Sequence, residues 1–154
     1  MTKILALDLG TKCGFALGAK GARPTSGTWE LMTSKQRRFE SSGMKWVRLH
    51  KLLDESAAGF GKTDLVVIEE VRRHAGTDAA HAYGGALAKV SEWCELHGVP
   101  MTAVPVATIK KFATEKGNAK KDAMIASAKA LGFDPRDDNE ADAIHLWRYS
   151  AENL

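Results

Sequence analysis

The chain has 154 residues, the size of one ordinary domain and too short for two independent lobes. Hydrophobic residues make up 44% and charged residues 27%, which is globular composition, and no apolar stretch approaches the roughly 18 residues of a membrane span. A formal charge of +3 permits nucleic-acid binding without requiring it, so the distribution of charge matters more than its sum.

The expectation is one soluble domain over residues 1–154. The start, MTKILALDLGTK, carries an acid inside its short apolar run and lacks a small-residue cleavage pattern, which points to the cytoplasm rather than to secretion. Lys3 to Leu9 reads as a buried strand entering a turn at Gly10. Gly14 to Ala19 and Thr25 to Leu31, separated by GARP, read as its antiparallel partners in a meander. From Lys35 to Ala58 the residues Phe39, Met44, Val47, Leu49, Leu52 and Leu53 recur at roughly helical spacing, predicting one helix that ends at Gly59 and Gly61. Leu65 to Glu69 is β-branched and predicts a central parallel strand buried on both faces.

Asp78 to His97 predicts a long helix stopped by Gly98, with a first half rich in small residues. Met101 to Val104 reads as a short strand before Pro105. Ala107 to Phe112, Lys121 to Leu131 and Glu140 to about Tyr149 read as helices. A meander followed by alternating helices and strands predicts an α/β architecture, a mixed sheet flanked by helices on both faces. Cys13 and Cys94 form no ligand spacing and read as buried thiols. Trp29, Trp46, Trp93 and Trp147 read as core or interface residues.

Three acidic sites lie where such a sheet brings chain ends together: Asp8 closing the first strand, Glu69 or Glu70 closing the later one, and Asp142 near the start of the last helix. Neighbouring strands lie about 4.8 Å apart, so carboxylates leaving them on one face can share a divalent ion. Oxygen donors without a Cys or His cluster favour Mg2+. Consecutive strand residues point to opposite faces, so only one of Glu69 and Glu70 can face the site. Asp138 and Asn139 precede Asp142 by four and three residues, both on its helical face. Asp138 brings the charge and is preferred as a fourth ligand on chemical grounds. Asp138 and Asp142 also suit the cap of the last helix.

Lys110, Lys111, Lys116, Lys120 and Lys121 cluster around a Gly/Asn loop, opposed only by Glu115. Such a cluster follows a phosphate backbone or forms an ordinary solvated helix end. Arg72, Arg73 and His74 form a second basic patch after the strand glutamates. His74, His81 and His145 are read as structural or surface residues rather than catalytic ones.

The segments ALDLGTKCGFAL, VVIEEV, ATIKKFATEKGNAKKDAM and NEADAIHL, in this order, resemble the RuvC-like Holliday junction resolvases, particularly the phage-type members. The third segment is the most specific, with Lys110 and Lys121 separated by a loop containing Gly117. The resemblance implies the ribonuclease H-like fold and selects Glu69, making Asp8, Glu69 and Asp142 metal ligands, with Asp138 the added candidate. It further implies two Mg2+ ions per site (Mn2+ an acceptable substitute) and paired nicking of four-way junctions in branched DNA. Arg72, Arg73, Lys110, Lys111, Lys120 and Lys121 would contact that DNA. A homodimer is implied as well, formed through the small residues Ala82, Gly84, Gly85 and Ala86, and the host cytoplasm if the gene is a phage's. The chain departs from the cellular pattern at Asn139, where an acid or histidine is usual, and at Arg72, where an aromatic residue is usual.

Other expectations of the same fold are a less selective branched-DNA or fork nuclease and a YqgF-type RNA-processing nuclease. ALDLGT also resembles the first phosphate loop of the actin-like nucleotide-binding proteins, but that architecture needs two lobes.

Overall fold

A computed structural model describes residues 1–154. Five strands form one sheet: β1 (Lys3–Asp8), β2 (Lys12–Ala19), β3 (Thr25–Glu30), β4 (Leu65–Glu70) and β5 (Met101–Pro105), in the spatial order β3-β2-β1-β4-β5. The first three are an antiparallel meander, and β4 and β5 add parallel to β1 and to each other. Six helices complete the chain: α1 (Ser34–Arg37), α2 (Met44–Phe60), α3 (Thr77–His97), α4 (Val106–Thr114), α5 (Lys121–Ala130) and α6 (Asp138–Asn153). None is long and apolar enough to cross a membrane.

The period of two along the central strands divides the interior into two cores. Leu5, Leu7, Val66 and Ile68 pack with Leu49 and Leu53 of α2 and Val90 and Trp93 of α3. Ile4, Ala6 and Val67 face the other way, against Ile109 of α4, Met124 of α5 and Leu146 and Trp147 of α6. Each large buried aliphatic side chain contributes about 1.5–3 kcal/mol relative to exposure. Helices therefore flank both faces of a mixed sheet, as the alternation of elements predicts. Both cysteines are buried, and burial pushes the Cys94 thiol up to about 11. Trp93 and Trp147 are buried, and Trp29 and Trp46 pack against the first core.

Two expectations change. The helix predicted over Lys35 to Ala58 is two helices, interrupted at residues 38–43. Thr33 closes a reciprocal capping box with Gln36 that starts the four-residue α1, and Gly43 begins α2 after Ser41 and Ser42, residues that favour turns. Phe39 and Val47, counted in the apolar period, are exposed.

The small-residue face of α3 is the second. Ala82 and Ala86 are buried within the chain, and a Cβ on Gly85 would lie 2.2 Å from Cζ2 of Trp46. The missing side chain at Gly85 is what lets α2 lay that indole across α3. Only Gly84 of the four stands in open space, so the surface expected to meet a second subunit is used to join α2 to α3.

Candidate metal and nucleic-acid site

The site begins with the parity of two strands. Asp8 continues the series Ile4, Ala6, and Glu69 continues Val67, so both carboxylates face the α6 side of the sheet. The parallel register pairs Leu7 with Ile68, and Asp8 and Glu69 are the next residues on each strand. They emerge side by side at the carboxyl ends of neighbouring parallel strands, where open α/β sheets form their binding crevices. Glu70 has the opposite parity and pairs with Arg72 at 2.7 Å. Asp142 reaches the same point from α6, and carboxylate oxygens of Asp8, Glu69 and Asp142 all lie within 4.8 Å of one another.

Three acids this close, partly shut off from water, resist ionising together. The carboxyl of Asp8 is held well above its ordinary range, first by burial, then by the charge of Glu69 and a carboxyl hydrogen bond with it, then by Asp142 and Asp138. Asp142 is pushed up to about 7 by burial and by the charges of Glu69 and Asp138, against which Lys110 and Lys121 pull it down. Asp138, one helical turn before Asp142, stands outside the close set; its carboxylate lies 3.4 Å from the Lys121 ammonium. It reaches the site as charge.

Residues the sequence reading passed over hold α6 in place. Gly14 pairs with Asp8 across β1 and β2, and a Cβ there would sit 1.9 Å from the carbonyl oxygen of Asn139. The first turn of α6 thus rests directly on the backbone of β2, which brings Asp142 down to the sheet. A glycine within a strand is the available signal for such an approach. Neither Asp138 nor Asp142 caps the helix. Asp137 does, accepting from Glu140 N–H at 2.9 Å and from the Thr28 hydroxyl at 2.7 Å. The buried Glu140 accepts from the Ser26 hydroxyl and from Arg136 N–H, both at 2.9 Å. These bonds tie the helix start to edge strand β3; the DxxE spacing was their trace in the sequence.

On the opposite face, the Tyr83 hydroxyl donates to the carbonyl of Glu69 at 3.0 Å, and the His74 ring packs 5.0 Å away. His145 is fully buried. Its Nε2 meets the Met124 carbonyl at 3.0 Å and its Nδ1 meets Arg148 at 3.2 Å, so it joins α5 to α6 as a neutral imidazole. Burial lowers its pKa. His81 is exposed at the start of α3.

The basic residues form two groups, of which Lys110 and Lys121 act on the charge of Asp142. Lys110, Asn118, Lys120 and Lys121 line an open cavity of about 510 Å³, and Lys111 is exposed beside it on α4. Arg72 and Arg73 line another, about 490 Å³, with Glu70, Val71 and residues 105–107 at the ends of β4 and β5. Oxygen donors at three carboxylates fit a hard divalent cation, whose charge would relieve the repulsion that raises Asp8 and Asp142.

A three-stranded meander extended by two parallel strands and crossed by α6 is the ribonuclease H-like fold, with the acidic cluster at the carboxyl ends of β1 and β4. No protein-family model and no curated protein sequence matches the chain. Solved structures do match it. Thermus thermophilus RuvC superposes with a TM-score of 0.73 at 22% identity, over 98% of this chain and 96% of that one. The same protein in complex with a Holliday junction substrate gives 0.74 at 22% identity, over 95% and 90%. The yeast mitochondrial Holliday junction resolvase Ydc2 gives 0.62 at 9% identity, over 99% and 81%. At these identities the likeness is one of fold, and the fold is that of the Holliday junction resolvases.

Proposed function

We propose that the protein is a divalent-metal-dependent endonuclease that cuts phosphodiesters in branched DNA, with the four-way junction as its preferred substrate. The observation that carries this reading is the convergence of Asp8, Glu69 and Asp142 within 4.8 Å, bordered by lysines, in a fold shared with junction resolvases. Asp8, Glu69 and Asp142 would hold the cation, with Mg2+ matching the hardness of the donors, and Asp138 would add charge beside them. A cation held by these three carboxylates would supply positive charge beside the scissile phosphate and acidity to a water.

The chain's own groups do the rest. Lys110 and Lys121 offset the negative charge of Asp142 and stand where a phosphate backbone would approach it, with Lys111 and Lys120 alongside. The pairing of Lys121 with Asp138 keeps one ammonium at the rim of the acidic cluster. Arg72 and Arg73 contact the backbone on the β4 side. The structural scaffold at Gly14, Asp137 and Glu140 keeps Asp142 from relaxing away from Asp8 despite their repulsion, which preorganises the site. Two copies acting on opposed strands would place paired nicks, joined through a surface other than the occupied small-residue face of α3.

Incubating the purified protein with Mg2+ and labelled four-way junction, fork, flap, linear duplex and RNA–DNA hybrid tests this. The expected result is paired cleavage of the junction ahead of the others. Equal cleavage of linear duplex would remove the structure selectivity, and preference for the hybrid would reassign the substrate to RNA.

A further inference from the structure

The interruption between α1 and α2 presents a feature that neither the fold nor the acidic site uses. Phe39 is 82% exposed, directly after Arg37 and Arg38 and close to Lys35. An aromatic ring left in water on a loose loop would be ordinary; this one is held on an ordered platform. Phe39 N–H and Glu40 N–H both donate to the Gln36 carbonyl, at 3.0 and 2.9 Å, and Gln36 is locked by the reciprocal capping box with Thr33.

The charge around it is unbalanced. Glu40, the one acid of residues 35–48, is paired with Arg48, leaving Lys35, Arg37, Arg38 and Lys45 without an ion pair. The segment also meets the turn that follows Asp8. Leu31 N–H donates to the Thr11 carbonyl at 2.8 Å in the turn that follows Asp8. Thr11, Arg37, Lys45, Asp78 and His81 line a common cavity of about 490 Å³.

We propose that residues 35–45 form a second nucleic-acid contact, in which Phe39 stacks on a base unpaired at the branch point while Lys35, Arg37 and Arg38 hold the flanking phosphates. It rests on the branched-DNA reading of the acidic site. The partner is a nucleobase because a ring with an open face flanked by free cations matches a π surface joined to phosphates, whereas an apolar protein partner would leave those cations uncompensated. A phenylalanine ring, with two side-chain torsions on a hydrogen-bonded backbone, also loses less freedom on stacking than a long aliphatic chain.

The test measures binding in EDTA, where cleavage is blocked, to a four-way junction carrying 2-aminopurine beside the branch point and to a linear duplex. Phe39→Ala alters only an exposed side chain, so the fold should survive. Loss of a base stack predicts junction binding weakened on the order of ten-fold and loss of 2-aminopurine quenching, with duplex binding unchanged. Phe39→Trp should restore both. The Arg37→Ala, Arg38→Ala double variant should flatten the salt dependence of junction binding by roughly one unit of slope per lost contact. Wild-type protein that shows no preference for the junction overturns the branched-DNA reading and this contact with it. Wild-type preference retained in full by Phe39→Ala overturns the contact alone. A change in self-association by sedimentation, with DNA binding unaltered, assigns the patch to a protein interface and likewise overturns it.

Discussion

Asp142→Asn should make the metal-free protein more stable at neutral pH, although it removes a residue of the proposed site. In the fold the Asp142 carboxyl rises from 3.8 to about 7, chiefly through burial and then the charges of Glu69 and Asp138. A raised acid binds its proton more tightly when folded. Stability is therefore full below the unfolded value, falls as pH rises between about 4 and 7, and stays reduced above that. About three pKa units at roughly 1.36 kcal/mol each set an upper bound of about 4 kcal/mol. At about 2–4 °C per kcal/mol for a chain of this size, the melting temperature in EDTA should differ by up to roughly 8–16 °C. The assay is thermal unfolding of both proteins in EDTA from about pH 4.5 to pH 8.5. The stability difference should be small at the acid end, grow with pH and level off above about 7. Added Mg2+ should raise the wild-type melting temperature more than the variant's, since metal would relieve the same repulsion. A variant less stable than wild type at high pH, or a difference independent of pH, would refute the argument that the acids repel in the folded state.

Other perturbations address the remaining parts of the site. Asp8→Asn should abolish Mg2+-dependent cleavage while junction binding, measured by gel shift, stays within a few-fold, since phosphate contacts come mainly from lysines and arginines; substantial cleavage by this variant would overturn the site assignment. Neutralising Lys110 and Lys121 together should weaken junction binding and lower the slope of log K against log salt by about one unit per lost contact, and an unchanged slope would remove them from the interface. Gly14→Ala, whose methyl would sit 1.9 Å from the Asn139 carbonyl, should cost at least as much as other overpacking changes, about 1–3 kcal/mol by denaturant titration. Wild-type stability in that variant would show that α6 does not rest on β2. Sedimentation should find a dimer; a fully active monomer would separate cleavage from pairing of subunits.

Much of the site could be read from local pattern. The central strands announce themselves as continuous apolar runs closed by carboxylates, and counting by twos puts Glu69 and Glu70 on opposite faces; the resemblance to the resolvases selected Glu69, and the structure sets it with Val67 as it sets Asp8 with Ile4 and Ala6. That counting needs no knowledge of the partner strand, because pleat and side-chain direction belong to the strand itself. The lysine cluster and the long α3 were legible for the same reason.

What neighbours do to one another was not. That Leu7 pairs with Ile68, so that Asp8 and Glu69 emerge together, is a choice of register between segments far apart in the chain. That Gly85 is occupied by Trp46 of α2, with Ala82 and Ala86 buried within the chain, depends on where that indole lands. The break at residues 38–43 defeated an apolar period because Phe39 and Val47 face solvent, and hydrophobicity alone does not say which side of a helix the core lies on. Asp137, not Asp138 or Asp142, caps α6, because Thr28 of the edge strand and the amide of Glu140 meet its carboxylate. Sequence period sets which way a side chain points within its own element; only packing between elements decides what it meets there, since those contacts form across long loops whose closure no local pattern encodes.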